Sequence, residues 1–177
     1  MEGQLVTEKL IMSPKISKNN VVSNVEEDVL KIVVINRYKD SKPAIGFIKG
    51  IGIKSGALAS TVAHDSHNII AVGTSDLYIV KAVNKLIETK GGIVALGEND
   101  TVHLPLPVAG LMTNANAWQV AEDNKKLNQL AQQMGSSLRA PFMTLSFMAL
   151  LVIPELKLSD KGLFDGTKFC FTKLFEE

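Results

Sequence analysis

The densest run of reactive side chains in the 177-residue sequence is Ser60-Thr61-Val62-Ala63-His64-Asp65-Ser66-His67-Asn68, which holds two of the three histidines. His64, Asp65, Ser66, His67 and Asn68 are five consecutive polar or ionisable groups, followed directly by the apolar run Ile69-Ile70-Ala71-Val72-Gly73. Such groups cannot enter a buried strand unless each finds a partner. Two readings stay open on the residues alone: a polar loop whose side chains cap turns and bond one another, or a site presented at the end of a strand. A structural zinc site needs four ligands, and with one cysteine and three histidines the carboxylates would have to come from far away. A Ser-His-Asp triad is disfavoured because Asp65, Ser66 and His67 are adjacent, and neighbours in an extended chain point to opposite faces. The H-x-E and P-C-x-x-C pair of cytidine-type zinc deaminases is absent.

Other residues with chemical potential read more plainly. Residues 50–56, GIGIKSG, match neither phosphate-binding pattern: the third glycine falls one place late for the dinucleotide fingerprint, and Lys54 follows Ile53 rather than glycine. Its glycines are read as turn and close-packing residues. His103 is expected on a strand facing solvent or a backbone partner, Glu155 in a loop, and Trp118 with Val120 as packing residues.

The elements that must position these groups follow from pattern. Residues 4–12 predict a strand ending at Ser13-Pro14, and 15–24 a loop or hairpin tip. Val29-Leu30-Lys31-Ile32-Val33-Val34-Ile35 is β-branched enough for a buried strand, and Ala44-Ile45-Gly46-Phe47-Ile48 should pair with it as a hairpin. A helix capped by Ser75 or Asp76 should turn Leu77, Val80, Val83 and Ile87 to one face and stop at Gly91-Gly92. A second helix, about 116–134, carries Val120, Leu127, Leu130, Ala131 and Met134 as its stripe and closes at Gly135. Between the helices, 92–96 and 101–104 form a hairpin, and 168–175 suits an edge strand. The expected class is α+β, a mixed, largely antiparallel sheet with helices packed on it.

Composition bounds the rest. The length is that of one ordinary domain, and 46% hydrophobic residues suffice for a core. A formal charge of +1 lacks the basic excess that nucleic-acid binding requires. The single cysteine, Cys170, cannot form an internal disulfide, which favours a reducing cytoplasm. No basic stretch followed by an apolar one opens the sequence, so a cleaved signal is not expected. The longest apolar stretch, residues 142–153, falls short of the roughly 20 residues a bilayer crossing needs, so no membrane partner is expected.

Five ordered blocks carry a resemblance. They are Gln4-Leu5-Val6-Thr7-Glu8-Lys9-Leu10; Ile48-Lys49-Gly50 through Leu58-Ala59-Ser60; Val62-Ala63-His64-Asp65-Ser66-His67-Asn68 through Thr74; Leu104-Pro105-Leu106-Pro107-Val108-Ala109-Gly110-Leu111-Met112; and Pro141-Phe142-Met143-Thr144-Leu145-Ser146-Phe147 with Val152-Ile153-Pro154-Glu155-Leu156-Lys157. Together they resemble the carboxy-terminal domain of bacterial and archaeal adenine deaminases of the amidohydrolase superfamily, over nearly the whole chain. The resemblance implies an enzyme that hydrolyses adenine to hypoxanthine and ammonia with a divalent metal, Mn or Fe, held in a (β/α)8 barrel. No segment here matches the barrel's His-x-His motif, and 177 residues cannot contain a barrel of roughly 250. No metal ligand therefore transfers, and this chain alone is expected to bind no cofactor and to be inactive.

What the resemblance leaves to this chain is one covering domain, residues 1–177, completed by a barrel partner in cis or in trans. His64, Asp65, Ser66, His67 and Asn68 are the residues expected to approach the substrate or the domain interface. Two other readings stand beside it: a free-standing binding module for purines or other small molecules, and an inactive fragment whose exposed apolar patch favours a homo-oligomer.

Overall fold

The computed structural model describes residues 5–175. In chain order the elements are β1 (Lys15–Ser17), β2 (Asn20–Val22), β3 (Val29–Ile35), β4 (Ala44–Lys49), β5 (Ala57–Ser60), β6 (Ile69–Gly73), α1 (Asp76–Glu88), β7 (Gly92–Leu96), β8 (Thr101–Pro105), α2 (Ala117–Gln133), α3 (Pro141–Phe147), β9 (Leu156–Ser159), β10 (Gly162–Asp165) and β11 (Cys170–Phe171). Six strands make the central sheet in the order β4-β3-β6-β5-β7-β8, and every pairing in it is antiparallel. The expected α+β class holds, with hairpins supplying β3–β4 and β7–β8.

Burial explains the composition of the middle strands. All residues of β5 and β6 are buried, because helices cover both faces of the sheet. Ile79, Ala82, Val83 and Leu86 of α1 pack on Val33, Ala57, Ala59, Ala71 and Val94. On the opposite face Leu127, Leu130 and Ala131 of α2 and Leu145 of α3 pack on Leu30, Ile32, Leu58, Ile70 and Val72. Alternation along β5 and β6 therefore sends Ala57, Ala59 and Ala71 to α1 and Leu58, Ile70 and Val72 to α2 and α3. Burying any one of those larger chains contributes on the order of 2 kcal/mol.

Register fixes where the loops fall. Ile35 pairs with Ile69, Ser60 with both Ile70 and Ile93, and Gly92 with Pro105. Connections 36–43, 61–68 and 106–116 thus emerge at one end of the sheet, whereas 50–56, 74–75 and 97–100 emerge at the other.

Three expectations are corrected. The buried face of α1 is rotated by about a quarter turn, at 100° per residue, from the one predicted. Val83 is shared, but Leu77, Val80 and Ile87 are exposed. The helix carries two overlapping apolar stripes. The first turn is tied to β3 by an ion pair of 2.6 Å between the largely buried Lys31 and Asp76, and the alanine-lined sheet accepts Ala82. The N-terminal stretch is not a ladder strand: Gln4 lies outside the described residues, and 6–14 are irregular, joined to the domain around Thr7. Thr7 N donates to Pro154 O, Glu155 N donates to Thr7 O, and the Thr7 hydroxyl donates to Leu156 O at 2.8 Å. The tail forms only β11, at the edge of a three-stranded sheet ordered β11-β10-β9, where Phe164 meets the rings of Phe169 and Phe171 edge-on. The 15–24 segment is the hairpin β1–β2, and α2 buries its expected stripe from Leu127 onward. Residues 141–147 form a short helix, and no helix among the described residues is long and apolar enough to cross a membrane.

Candidate functional site

The polar run 61–68 connects β5 to β6 and meets two other connections at its end of the sheet. Arg37, just beyond β3, joins them. Its Nε donates to His67 O at 2.6 Å, and its Nη2 donates to Ala109 O at 2.6 Å and to the Tyr38 hydroxyl at 3.1 Å. The guanidinium carbon sits 5.0 Å from the centre of the Tyr38 ring, and the Tyr38 hydroxyl donates to Ser66 O. Thr61 fastens the same loops from beneath: its hydroxyl donates to Gly110 O at 2.5 Å and accepts from Gly92 N at 2.9 Å. Gly110 is required here, because its φ is +73° and a Cβ would overlap the Arg37 guanidinium.

The two imidazoles differ in setting. His64 stacks on Phe147 of α3, ring centres 4.7 Å apart, and its backbone N–H donates to Ser146 O. His67 meets His64 edge-on at 5.7 Å and holds a φ of +50°, with its N–H donating to Ala63 O at 2.7 Å. Its Nδ1 is buried and has no hydrogen-bond partner. Burial, and then the nearby His64 and Arg37, lower the His67 pKa below its ordinary 6.5, with Asp65 opposing. The ring is therefore neutral near pH 7 and keeps hydrogen-bonding capacity unused, the state a donor, acceptor or proton-transfer group needs.

The remaining predicted residues divide. Asn68 is buried, 2% exposed; its Nδ2 donates to Ser66 Oγ, and its Oδ1 accepts from Arg37 N at 3.4 Å. The Ser66 hydroxyl is thus engaged by an amide, while Asp65 is exposed. The local network of the first reading is present in the Asn68–Ser66 bond, and the two histidines lie in the connection that leads into β6. Among the described residues no three His, Cys, Asp or Glu side chains group so as to hold a metal ion. His64 and His67 thus do not fit a metal centre of their own.

Arg37 and Tyr38 escaped the sequence reading, since 30 positions separate Arg37 from His67 and no spacing rule links them. Trp118 is corrected: it is 83% exposed, because the face of α2 that meets the sheet begins further along, and only Val120 packs. His103 is on β8 with Nε2 3.2 Å from the Thr89 hydroxyl, a side-chain partner rather than solvent or backbone. Glu155 is in a loop and accepts from Lys9 N at 2.7 Å. Lys157 was not singled out, yet it is 2% exposed and donates to Leu5 O, Thr7 Oγ1 and Pro154 O. Burial pushes its pKa down to about 8.

A cavity of about 740 Å³ lies elsewhere, between residues 6–15, β4 and β9. None of residues 60–68 lines it. The loop cluster instead presents a surface on which Tyr38, Val108 and Met112 are exposed.

Comparisons with known proteins place the chain in a family. The family described as "Adenine deaminase C-terminal domain" matches residues 4–170. A protein named adenine deaminase from Methanosarcina acetivorans is 56% identical over 176 residues, 99% of this chain but 32% of the relative. Another of that name from Methanosarcina barkeri is 55% identical over 174 residues, 98% of this chain and 32% of its own. One from Borreliella burgdorferi is 50% identical over 173 residues, 97% and 32%. The chain spans about a third of the length of these relatives. It belongs to the adenine deaminase C-terminal domain family.

Proposed function

We propose that residues 1–177 act as one domain that covers and supports the catalytic part of an adenine deaminase, with the 61–68 loop turned to the substrate side. The catalytic part is the barrel that the resemblance implies, in cis or in trans. The reaction adds water to adenine and releases ammonia, leaving hypoxanthine, a step of purine metabolism. The barrel's divalent metal, Mn or Fe, supplies activated water. Residues of this chain supply none of the metal's ligands in this reading. The observation that carries it is the near-complete match of this chain to one third of relatives named adenine deaminase.

What this chain contributes follows from its own geometry. Covering the mouth excludes bulk water, which strengthens every polar contact inside. A neutral His67 offers a hydrogen bond to a purine ring nitrogen or to the attacking water. His64, held by Phe147, backs the second imidazole at 5.7 Å. Asp65 and Ser66, both exposed, reach the interface, while Asn68 holds the loop. The single, exposed Cys170 suits a cytoplasmic setting.

The test uses a chimera in which this chain replaces the matching third of the Methanosarcina acetivorans relative. His67→Ala should lower adenine turnover, followed by ultraviolet absorbance, at least tenfold. An unchanged rate with lowered stability sinks the role assigned to the loop. The chain alone, with adenine and Mn²⁺, should give no turnover; conversion of adenine by it would place the chemistry on these histidines. Tight purine binding by the isolated chain would favour the binding-module reading, and a dimer blocking the chimera's assembly would favour the fragment.

A further inference from the structure

We propose that Arg37 is the positioning residue of this site: by bonding the carbonyls of His67 and Ala109 together, it fixes the backbone that carries the His67 imidazole. The inference rests on the reading of this end of the sheet as the substrate side.

Three observations converge on Arg37. Its two shortest bonds, 2.6 Å each, run to main-chain carbonyls of different loops, so one planar fork sets the distance between them. The carbonyl it grips belongs to the residue with φ +50°, a conformation that costs a non-glycine side chain free energy and persists only where neighbours hold it. The fork has a built berth: Gly110, at φ +73°, leaves the space that a Cβ would take from the guanidinium, and Thr61 holds that glycine's carbonyl. The Arg37 N–H and Tyr38 hydroxyl add bonds to Asn68 Oδ1 and Ser66 O, so four successive bonds stitch 37–38 to 66–68 and 109.

The arginine also acts through charge. His67 is faced by His64 and Asp65 from its own loop and by Arg37 from the β3–β4 connection, with Tyr38 bonded to the neighbouring Ser66 O. Residues 106–112 carry no titratable side chain, and α3 offers only Phe147 and the Ser146 carbonyl. Arg37 is thus the permanent cation in the set, and it opposes a proton on His67. Geometry and charge can be separated because lysine keeps the second while losing the fork.

The experiment is a histidine-resolved NMR titration of the 177-residue chain in four forms: unaltered, Arg37→Ala, Arg37→Lys and Gly110→Ala. Arg37→Ala should raise the His67 midpoint and shift the amide signals of 66–68 and 109–110. Arg37→Lys should shift those amides while leaving the midpoint near its unaltered value. Gly110→Ala, which keeps the arginine's charge but fills its berth, should shift those amides as Arg37→Lys does while leaving the midpoint near its unaltered value. Unshifted core signals from β5 and β6 identify variants that fold, and the lysine variant guards against loss of the alanine one. An unmoved His67 midpoint and unmoved loop amides in the folded variants would overturn the proposal.

The same substitutions in the chimera tie the inference to function. Arg37→Ala should lower kcat at least tenfold with a smaller change in KM, and should move the acid limb of the pH profile upward with the His67 midpoint. A shifted titration with unchanged turnover and pH profile would instead overturn the substrate-side reading while leaving the Arg37–His67 geometry standing, so the two failures are distinguishable.

Discussion

The two ends of the six-stranded sheet solve one problem, reversing the chain between tightly paired strands, in opposite ways. At the glycine end, Gly50, Gly52 and Gly56 take φ of +97°, +83° and +84°, and backbone packs on backbone: a Cβ at Gly52 would lie 3.0 Å from Gly135 O. Asp28 accepts from Gly50 N and Gly52 N, and Ser136 donates to Ile51 O at 2.6 Å. At the loop end, closure falls to Arg37, Tyr38, Thr61 and Asn68, side chains that bond carbonyls and amides of other loops. The glycine end carries exposed Lys54, Glu98 and Asp100 but no imidazole. The loop end leaves a neutral imidazole with a buried, unpartnered nitrogen and a ring of exposed apolar groups. The loop end thus keeps a histidine nitrogen without a hydrogen-bond partner, whereas the loops of the glycine end hold no histidine.

The sharpest way to break the contrast is at Gly56, where a Cβ would overlap Leu96 O and lie 2.7 Å from Met134 Cε. Gly56→Ala should cost about 3 kcal/mol or more, from left-handed strain plus overpacking. Urea denaturation measures it, and the imidazole signals of the folded fraction should not move. A mild loss would show that this end is held less tightly than its geometry indicates.

Thr61→Val tests the other end. It removes a hydroxyl that serves Gly110 O and Gly92 N, leaving two buried main-chain groups unpaired at about 2 kcal/mol. Unlike the glycine change it should also disturb residues 64–68 in NMR spectra. Equal silence of the loop in both variants would erase the distinction.

Protonation separates two bases, the buried Lys157 and the half-buried His67. Lys157, at about 8, lies below the ordinary 10.5, so between those values the native chain has released a proton that the unfolded chain still holds. Stability should rise as pH goes from about 8 to 10.5, and Lys157→Met should abolish the slope in urea titrations. For His67 the lowering has the same sign: stability should fall as pH drops below 6.5, because the unfolded chain takes up the proton first. His67→Gln should flatten that acid slope.

The smallest effect on this chain is expected at Trp118. Its ring is exposed, so Trp118→Ala should change unfolding free energy by less than about 0.5 kcal/mol. The chimera decides whether that side chain serves the interface, since weakened assembly there, with an unaltered isolated domain, is the signature of a docking residue.

Much of this was legible before any coordinates. The β-branched run 29–35, the hairpin 92–104 and the glycine stop at 135 are local signals, and each became the element it implied. Helix α1 shows where local reading stops: its apolar residues fit two faces, and Lys31 on β3 together with the alanine-lined sheet helps settle which is buried. The 64–68 run stood out by its polarity alone, whereas Arg37 looked like any charged residue after a strand.

Residue order and composition specified the strands, the helices, the turn glycines and the reactive run, because these depend on period, branching and φ within a few neighbours. Register and layering, which bring 37, 61, 67 and 109 together, depend on pairings across tens of residues and on which stripe of each helix finds the sheet. Only the assembled structure decided that Arg37 would grip His67, that Gly110 would make room for it, and that one histidine would keep a buried nitrogen unpaired.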